Sequence, residues 1–277
     1  MRRRGREGLL RGSVSFALLV AGALLGSPAL ARAGELLPAP EGLSAREVAR
    51  RAEDALRSDR TFMEAAMTVV SPRLSSDRVV RFQSWDDRPG KRSFIRILDP
   101  AKDRGTGFLK KHPNLWMYVP RVERTLRIPP SMMLQPWMGS DFTNDDLVNE
   151  SSELDDYDHR LLGIDPKIEG AEALRAYVVE YVPHEDAPVV WGRIVTWIGI
   201  AHGTPLRQEF YDEAGELHRV MRFSDVKEVE GRHFPHRWVM TPLDKPGHET
   251  RIEVGAIRFD QDFEERIFTT RNLERAK

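Results

Sequence analysis

His233 and His236 stand three residues apart, a spacing that suits a shared zinc ion only where the chain bends. In a strand the odd interval sends the two rings to opposite faces, so a common metal requires a break at Pro235. Ordinary surface or stacking histidines fit the pattern better. Asp155, Asp156, Asp158 and His159 form an acidic run without EF-hand spacing or a turn glycine, which reads as a solvated loop. Asp145 and Asp146 are adjacent, an arrangement that gives no sign of a general acid facing a general base. Gly105-Thr106-Gly107 is too poor in glycine for a phosphate cradle and marks a turn or bulge. Gly139-Ser140-Asp141 lacks the second glycine of a nucleophile elbow. An enzyme would have to assemble its site from distant residues such as Asp141, Asp145 and His159. The chain has no cysteine, which excludes thiolate zinc sites, cysteine nucleophiles, disulfides and a lipid-modified N-terminal cysteine. No catalytic residue, metal site or cofactor is expected.

The distinctive chemistry is apolar. From Pro129 to Val148 the chain shows neither strand alternation nor a helical period until Asp141, where a short capped helix can begin. Yet it holds Met132, Met133, Leu134, Trp137, Met138 and Phe142. A long apolar loop is uncommon unless it serves as a lid or binding loop, and methionines suit an adaptable surface for a variable greasy ligand. The same loop also fits a plug that closes one end of a barrel as core.

The rest of the chain supplies a frame. Its 277 residues, 40% hydrophobic and 31% charged, are those of a globular protein with a sizeable core. Arg2, Arg3, Arg4, Arg6 and Arg11 precede an apolar stretch, Ser13 to Gly26, that is shorter than the ~20 residues a membrane-spanning helix needs. Ala31-Arg32-Ala33 follows as a small-x-small cleavage site, with Ala29-Leu30-Ala31 as a second choice. Residues 1–33 are therefore expected to be a secretory signal, with an uncleaved membrane anchor as the alternative, leaving 34–277 as one mature domain in a periplasm-like compartment. Removing residues 1–33, with six arginines and one glutamate, turns 42 basic and 43 acidic residues into 36 and 42, a net of −6. Such a chain is poorly suited to nucleic acid.

One helix is clear, with Ser44 as N-cap, Glu47 completing a capping box, and Val48, Ala52, Ala55 and Leu56 on one face, ending near Ser58. About a dozen short strands follow, separated by turns and with no long helix between them, so antiparallel pairing and strong curvature or barrel closure are expected. The segments 176–182 and 190–198 are apolar on both faces, with Trp191 and Trp197 among them, and should be covered on both sides by a core and by a helix or ligand. In 251–259 the apolar phase slips beside Gly255, which predicts a β-bulge.

Gly107-Phe108-Leu109-Lys110-Lys111 and Asn114-Leu115-Trp116-Met117-Tyr118-Val119-Pro120 belong to a longer recognisable run. It continues through Arg127-Ile128-Pro129-Pro130-Ser131-Met132-Met133 and Trp137-Met138-Gly139-Ser140-Asp141-Phe142-Thr143-Asn144-Asp145-Asp146-Leu147. This run resembles the periplasmic outer-membrane lipoprotein-sorting protein family, a branch of the LolA/LolB-like superfamily. The resemblance implies a mainly β (α+β) fold in which a strongly curved antiparallel sheet forms an incomplete β-barrel. An N-terminal helix and the Met-rich segment would cover its concave side. It implies a cavity for acyl chains of lipoproteins or other lipids, with no cofactor, and partners such as a resistance–nodulation–division (RND) type inner-membrane transporter or an outer-membrane acceptor. No individual lipid contact carries over. Chemistry selects the candidate lipid-binding residues: Met132, Met133, Leu134, Trp137, Met138 and Phe142 of the loop, with Trp116, Trp191 and Trp197 of the strands. The alternative is an adaptor that docks on a transporter with a filled core and carries no lipid.

Overall fold

A computed structural model describes residues 36–148, 153–168, 174–187 and 189–275; the expected signal segment lies outside them. Its first helix, α1, spans Ala45–Leu56. The Ser44 hydroxyl accepts the Glu47 amide at 3.4 Å, and Val48, Ala49, Ala52 and Ala55 form the buried stripe. Glu47 and Asp54 hold Arg50 on the opposite, solvated side.

The strands are β1 (Arg60–Val70), β2 (Arg78–Asp87), β3 (Arg92–Asp99), β4 (Gly107–Lys111), β5 (Asn114–Val119), β6 (Arg124–Ile128) and β7 (Tyr157–Asp165). Then come β8 (Ala176–Pro183), β9 (Arg193–Gly199), β10 (Pro205–Tyr211), β11 (Leu217–Val229), β12 (Arg232–Pro242) and β13 (Glu249–Arg258). Two short helices, α2 (Asn144–Val148) and α3 (Thr270–Glu274), complete the regular elements used below. All strands join one antiparallel sheet in the order β6-β5-β4-β3-β2-β1-β13-β12-β11-β10-β9-β8-β7. Two meanders thus run outward from the central β1–β13 pair, and the outer strands β6 and β7 do not pair with each other. The barrel is incomplete, as the resemblance implied.

Curvature follows from what shares space. Side chains of β3 and β9 line one cavity although seven strand spacings, about 34 Å on a flat sheet, separate them. The sheet must curl around that cavity, and the β1–β13 pair contributes: its register shifts between Glu64 and Ala65, which oppose Ala256 and Val254 and leave Gly255 as the extra residue. The bulge is where the slipped hydrophobic phase predicted it.

Strand alternation divides the core into an inner and an outer face. The inner face carries the main cluster, including Met67, Phe82, Ile95, Phe108, Leu115, Phe210, Phe234 and Ile252, and it receives α1 and the 129–148 loop. The outer face carries two smaller clusters. Phe268 and Leu273 from the C-terminal segment cover Phe94 and Leu109. Ile168 and Leu36 cover Ala176, Val178, Val195 and Trp197. The doubly apolar strands β8 and β9 are therefore covered on both sides, and chain segments rather than a helix cover the outer one. Leu37 pairs with Ile164 through two 2.8 Å backbone bonds. Gly163 permits that approach, since a Cβ there would stand 2.7 Å from the Leu37 carbonyl oxygen and its φ is +151°.

Two expectations need correction. The acidic run near residue 158 is not wholly a loop: Asp158 and His159 lie in β7, an edge strand on which Tyr157 is buried inward and Asp158 is solvated. A charged edge blocks pairing with another chain, which explains why its composition looks loop-like. The short helix α2 begins at Asn144 rather than Asp141, because Thr143 and Asp146 cap it reciprocally, the Thr143 amide donating to Asp146 Oδ2 at 2.7 Å and the Asp146 amide to Thr143 Oγ1 at 3.1 Å. Among the described residues no helix is long and apolar enough to cross a membrane.

Candidate binding cavity

Between α1 and the inner face lies a cavity of about 310 Å³. Its strand wall is largely apolar, with Phe82, Ile95, Met221, Phe223, Trp238, Met240 and Ile252, while Ala49, Ala52 and Leu56 line it from α1. The small residues of α1 matter here: alanines on the buried stripe hold the helix against the sheet rim without filling the space beneath it. The size and the mixture of greasy wall with a few convergent polar groups are those of a ligand site.

The polar groups gather from distant parts of the chain. Arg219 on β11 makes a two-pronged ion pair with Asp146 of α2, at 2.6 and 2.7 Å, and its guanidinium stacks 4.5 Å from the rings of both Trp191 and Phe210. Burial pushes the Asp146 carboxyl up, but Arg219 and the Thr143 amide and hydroxyl outweigh it and hold the carboxyl below its ordinary value. Glu53 pairs with Arg57 at 2.5 Å and with Arg88 at 2.9 Å. Glu153, just before β7, accepts two bonds from the Gln208 amide at 3.0 and 3.1 Å. Burial drives its carboxyl up to about 7, against the Gln208 hydrogen bonds and with the Glu53 charge adding to the rise. Asp86 on β2 is likewise raised by burial, with Arg57, Lys110 and Arg88 opposing the rise from a distance.

A raised folded value means that Glu153 supports the fold fully below its unfolded value of 4.5, and that this support is lost as pH rises through about 7. Glu153→Gln is therefore expected to be more stable than the parent by about 2 kcal/mol near pH ~8 and nearly equal to it near pH ~4. Urea melts of the two proteins at both pH values check this; equal stabilities at the higher pH would contradict it.

The structure distributes the sequence-selected residues unevenly. Phe142 lines the cavity. Trp137 is 1% exposed and lies beside it in the core, its ring 5.5 Å from Phe82 and 5.7 Å from Phe108. Met133 and Met138 are half-buried against the same core, whereas Met132 and Leu134 are exposed. Trp191 stands one layer back, behind Arg219. Trp116 and Trp197 belong to the two outer-face clusters, on the far side of the sheet from the cavity. Asp141, Asp145 and His159 are not brought together around the cavity: Asp141 accepts from the Thr250 hydroxyl at 2.7 Å, and His159 donates to the Glu153 carbonyl at 2.9 Å. His233 stacks on His202 with ring centroids 3.7 Å apart, while His236 donates to the Phe234 carbonyl. Among the described residues no group of three or more His, Asp or Glu is placed to hold a metal ion. Sequence reasoning missed Glu53, Asp86, Glu153, Gln208 and Arg219, for which no local pattern gives a sign.

Solved structures share this fold, an open antiparallel sheet with an N-terminal helix. The chain is similar to a DUF1329 family protein from Desulfovibrio piger (TM-score 0.73, 23% identity, covering 83% of this chain and 97% of that one). It is also similar to a domain described as outer membrane lipoprotein-sorting from Vibrio parahaemolyticus (TM-score 0.69, 26% identity, 83% and 98% covered). A LolA superfamily protein from Nitrosomonas europaea shares the fold as well (TM-score 0.67, 21% identity, 82% and 98% covered). A family model described as an uncharacterized protein matches residues 90–275, and the chain belongs to that family. No curated protein matches it in sequence.

Proposed function

We propose that this chain is a periplasmic carrier, exported by a cleaved signal at residues 1–33, whose mature domain, 34–277, shields acyl chains of lipoproteins or other lipids on their way towards the outer membrane. The observation that carries this reading is the apolar cavity beneath α1. Each buried methylene contributes about 0.8 kcal/mol, so a single acyl chain does not travel free in water at useful concentration, and a greasy enclosure is what transport requires. The similarity to the lipoprotein-sorting domain from Vibrio parahaemolyticus supports the same class of cargo. Binding and release need no cofactor and no bond-making step, so the reading is of a carrier and not an enzyme. An RND-type transporter or an outer-membrane acceptor would be the partner at either end.

Trp238 supplies the test, because it lines the cavity while Trp116 and Trp197 lie outside it. A long-chain alcohol carrying bromine on its alkyl chain is expected to quench the protein's fluorescence. Trp238→Phe combined with Trp85→Phe, the other tryptophan on the cavity wall, should remove a large part of that quenching, and Trp116→Phe or Trp197→Phe should leave it nearly intact. Absence of quenching at the highest soluble alcohol concentration contradicts the carrier reading and favours the adaptor, for which the core-filling Trp137 is the supporting observation.

A further inference from the structure

The cavity is apolar on one side, but its polar end is not balanced. Four carboxylates line it, Glu53, Asp86, Asp146 and Glu153, against two guanidiniums, Arg57 and Arg219, with a third, Arg88, reaching Glu53 from outside the lining. Both lining guanidiniums are committed, Arg57 to Glu53 and Arg219 to Asp146, the latter in a closed two-pronged pair. Glu153 has only the neutral amide of Gln208. Asp86 shares the inward phase of β2 with Phe82 and Ser84 and faces the space. No side-chain hydrogen bond or ion pair holds it among the described residues, and it is half-buried at the cavity wall. Lys110, opposite Ser93, which is in turn opposite Asp86, stands two strands away, about 10 Å on the sheet. A carboxyl drawn partly out of water at an apolar wall, without a partner, is relieved by taking a proton or meeting a cation.

Resting on the carrier reading, the geometry points to a cationic amphiphile as the preferred ligand: an apolar body along the Phe82, Phe223, Trp238 and Met240 wall, with an amine head held as ammonium at the carboxylate-lined end, where Asp86 and Glu153 lack a counter-charge. An ammonium brings a counter-charge and three N–H donors to an end lined by acceptor carboxylates, with Thr61 and Ser84 next to Asp86. An anionic head in the same place would face two carboxyls with no guanidinium to spare, and a neutral hydroxyl head would leave one carboxyl without a counter-charge. The cavity therefore selects head group as well as tail.

Three probes of equal chain length separate the possibilities: dodecylamine, dodecanol and dodecanoate, each below its aggregation concentration, titrated calorimetrically into the mature protein. Dodecylamine is expected to bind at least ~10-fold more tightly than dodecanol, with dodecanoate weakest, a ratio typical of one added charge-assisted contact. Asp86→Asn and Glu153→Gln should each reduce that preference several-fold, and the double variant should bring amine and alcohol to near parity while alcohol binding persists. Dodecanol binding as tightly as dodecylamine in the unaltered protein overturns the head-group assignment and leaves the carrier standing. Failure of all three probes to bind overturns both. Because the first comparison needs no variant, it decides the matter even if a substitution prevents folding.

Discussion

Trp137→Ala is expected to destabilise the protein by about 3–5 kcal/mol, the range for removing a fully buried tryptophan. The ring packs edge-on to Phe82 and Phe108 on the inner face, and the backbone at that point is tied into a tight turn: the Trp137 amide donates to the Phe142 carbonyl at 2.7 Å, and the Ser140 hydroxyl donates to the Trp137 carbonyl at 2.8 Å. The indole N–H is buried and finds no acceptor among the described residues. Trp137→Phe removes that unmet donor along with part of the ring, so its cost should be clearly smaller, about 1–2 kcal/mol. Met132→Ala and Leu134→Ala, at positions 47% and 54% exposed, should change stability by less than about 0.5 kcal/mol. Denaturant melts of the four variants would show the loop to be a plug at Trp137 with a solvated rim at Met132 and Leu134; equal effects at all positions would contradict that division.

The second large effect belongs to the pair that fastens α2 to β11. Arg219→Ala leaves the Asp146 carboxylate enclosed with only Thr143 to satisfy it and should cost about 3–5 kcal/mol. Asp146→Ala strands a buried guanidinium that already has an unpaired Nε, between Trp191 and Phe210, with a similar cost. Removing both together should cost less than the sum, because neither charge is then left alone; a double-mutant cycle on urea melts reads the coupling. The pH dependence has a definite direction. Since the folded Asp146 value lies below the ordinary 3.8, its stabilisation is in place above 3.8 and is lost as pH falls through the lower folded value. Additive single-variant costs, or an acid limb unchanged in Asp146→Ala, would show that the pair does not fasten α2 to β11.

Local patterns told much about the frame and little about the site. The Ser44–Glu47 capping box sets the start of α1 and the slipped phase at Gly255 sets a bulge, because both depend on residues within a few positions of one another. Apolar character likewise marks Trp116 and Trp197 as buried. Burial has two sides in a sheet, however, and a shift of one residue exchanges them: Leu115 and Met117 point inward, so Trp116 points outward beneath the C-terminal segment. Nothing in the strand's own sequence says which side holds the cavity. The polar end is further out of reach. Asp146 and Arg219 are 73 residues apart, Glu153 and Gln208 are 55, and only the closing of the curved sheet makes them neighbours. The β7 edge misled for a related reason, since its acids answer to solvent at an open edge and not to a strand's usual preference for apolar residues.

The most direct test of the carrier is the mass of the protein as cells make it. Purified from the periplasm without detergent and sprayed under native conditions, the chain is expected to carry an additional non-covalent mass, released by collisional activation as a lipid with at least one acyl chain. The remaining polypeptide should have the mass of a chain beginning at Gly34. A population that contains only bare polypeptide, and that stays bare after incubation with membrane lipid extract, would contradict the account.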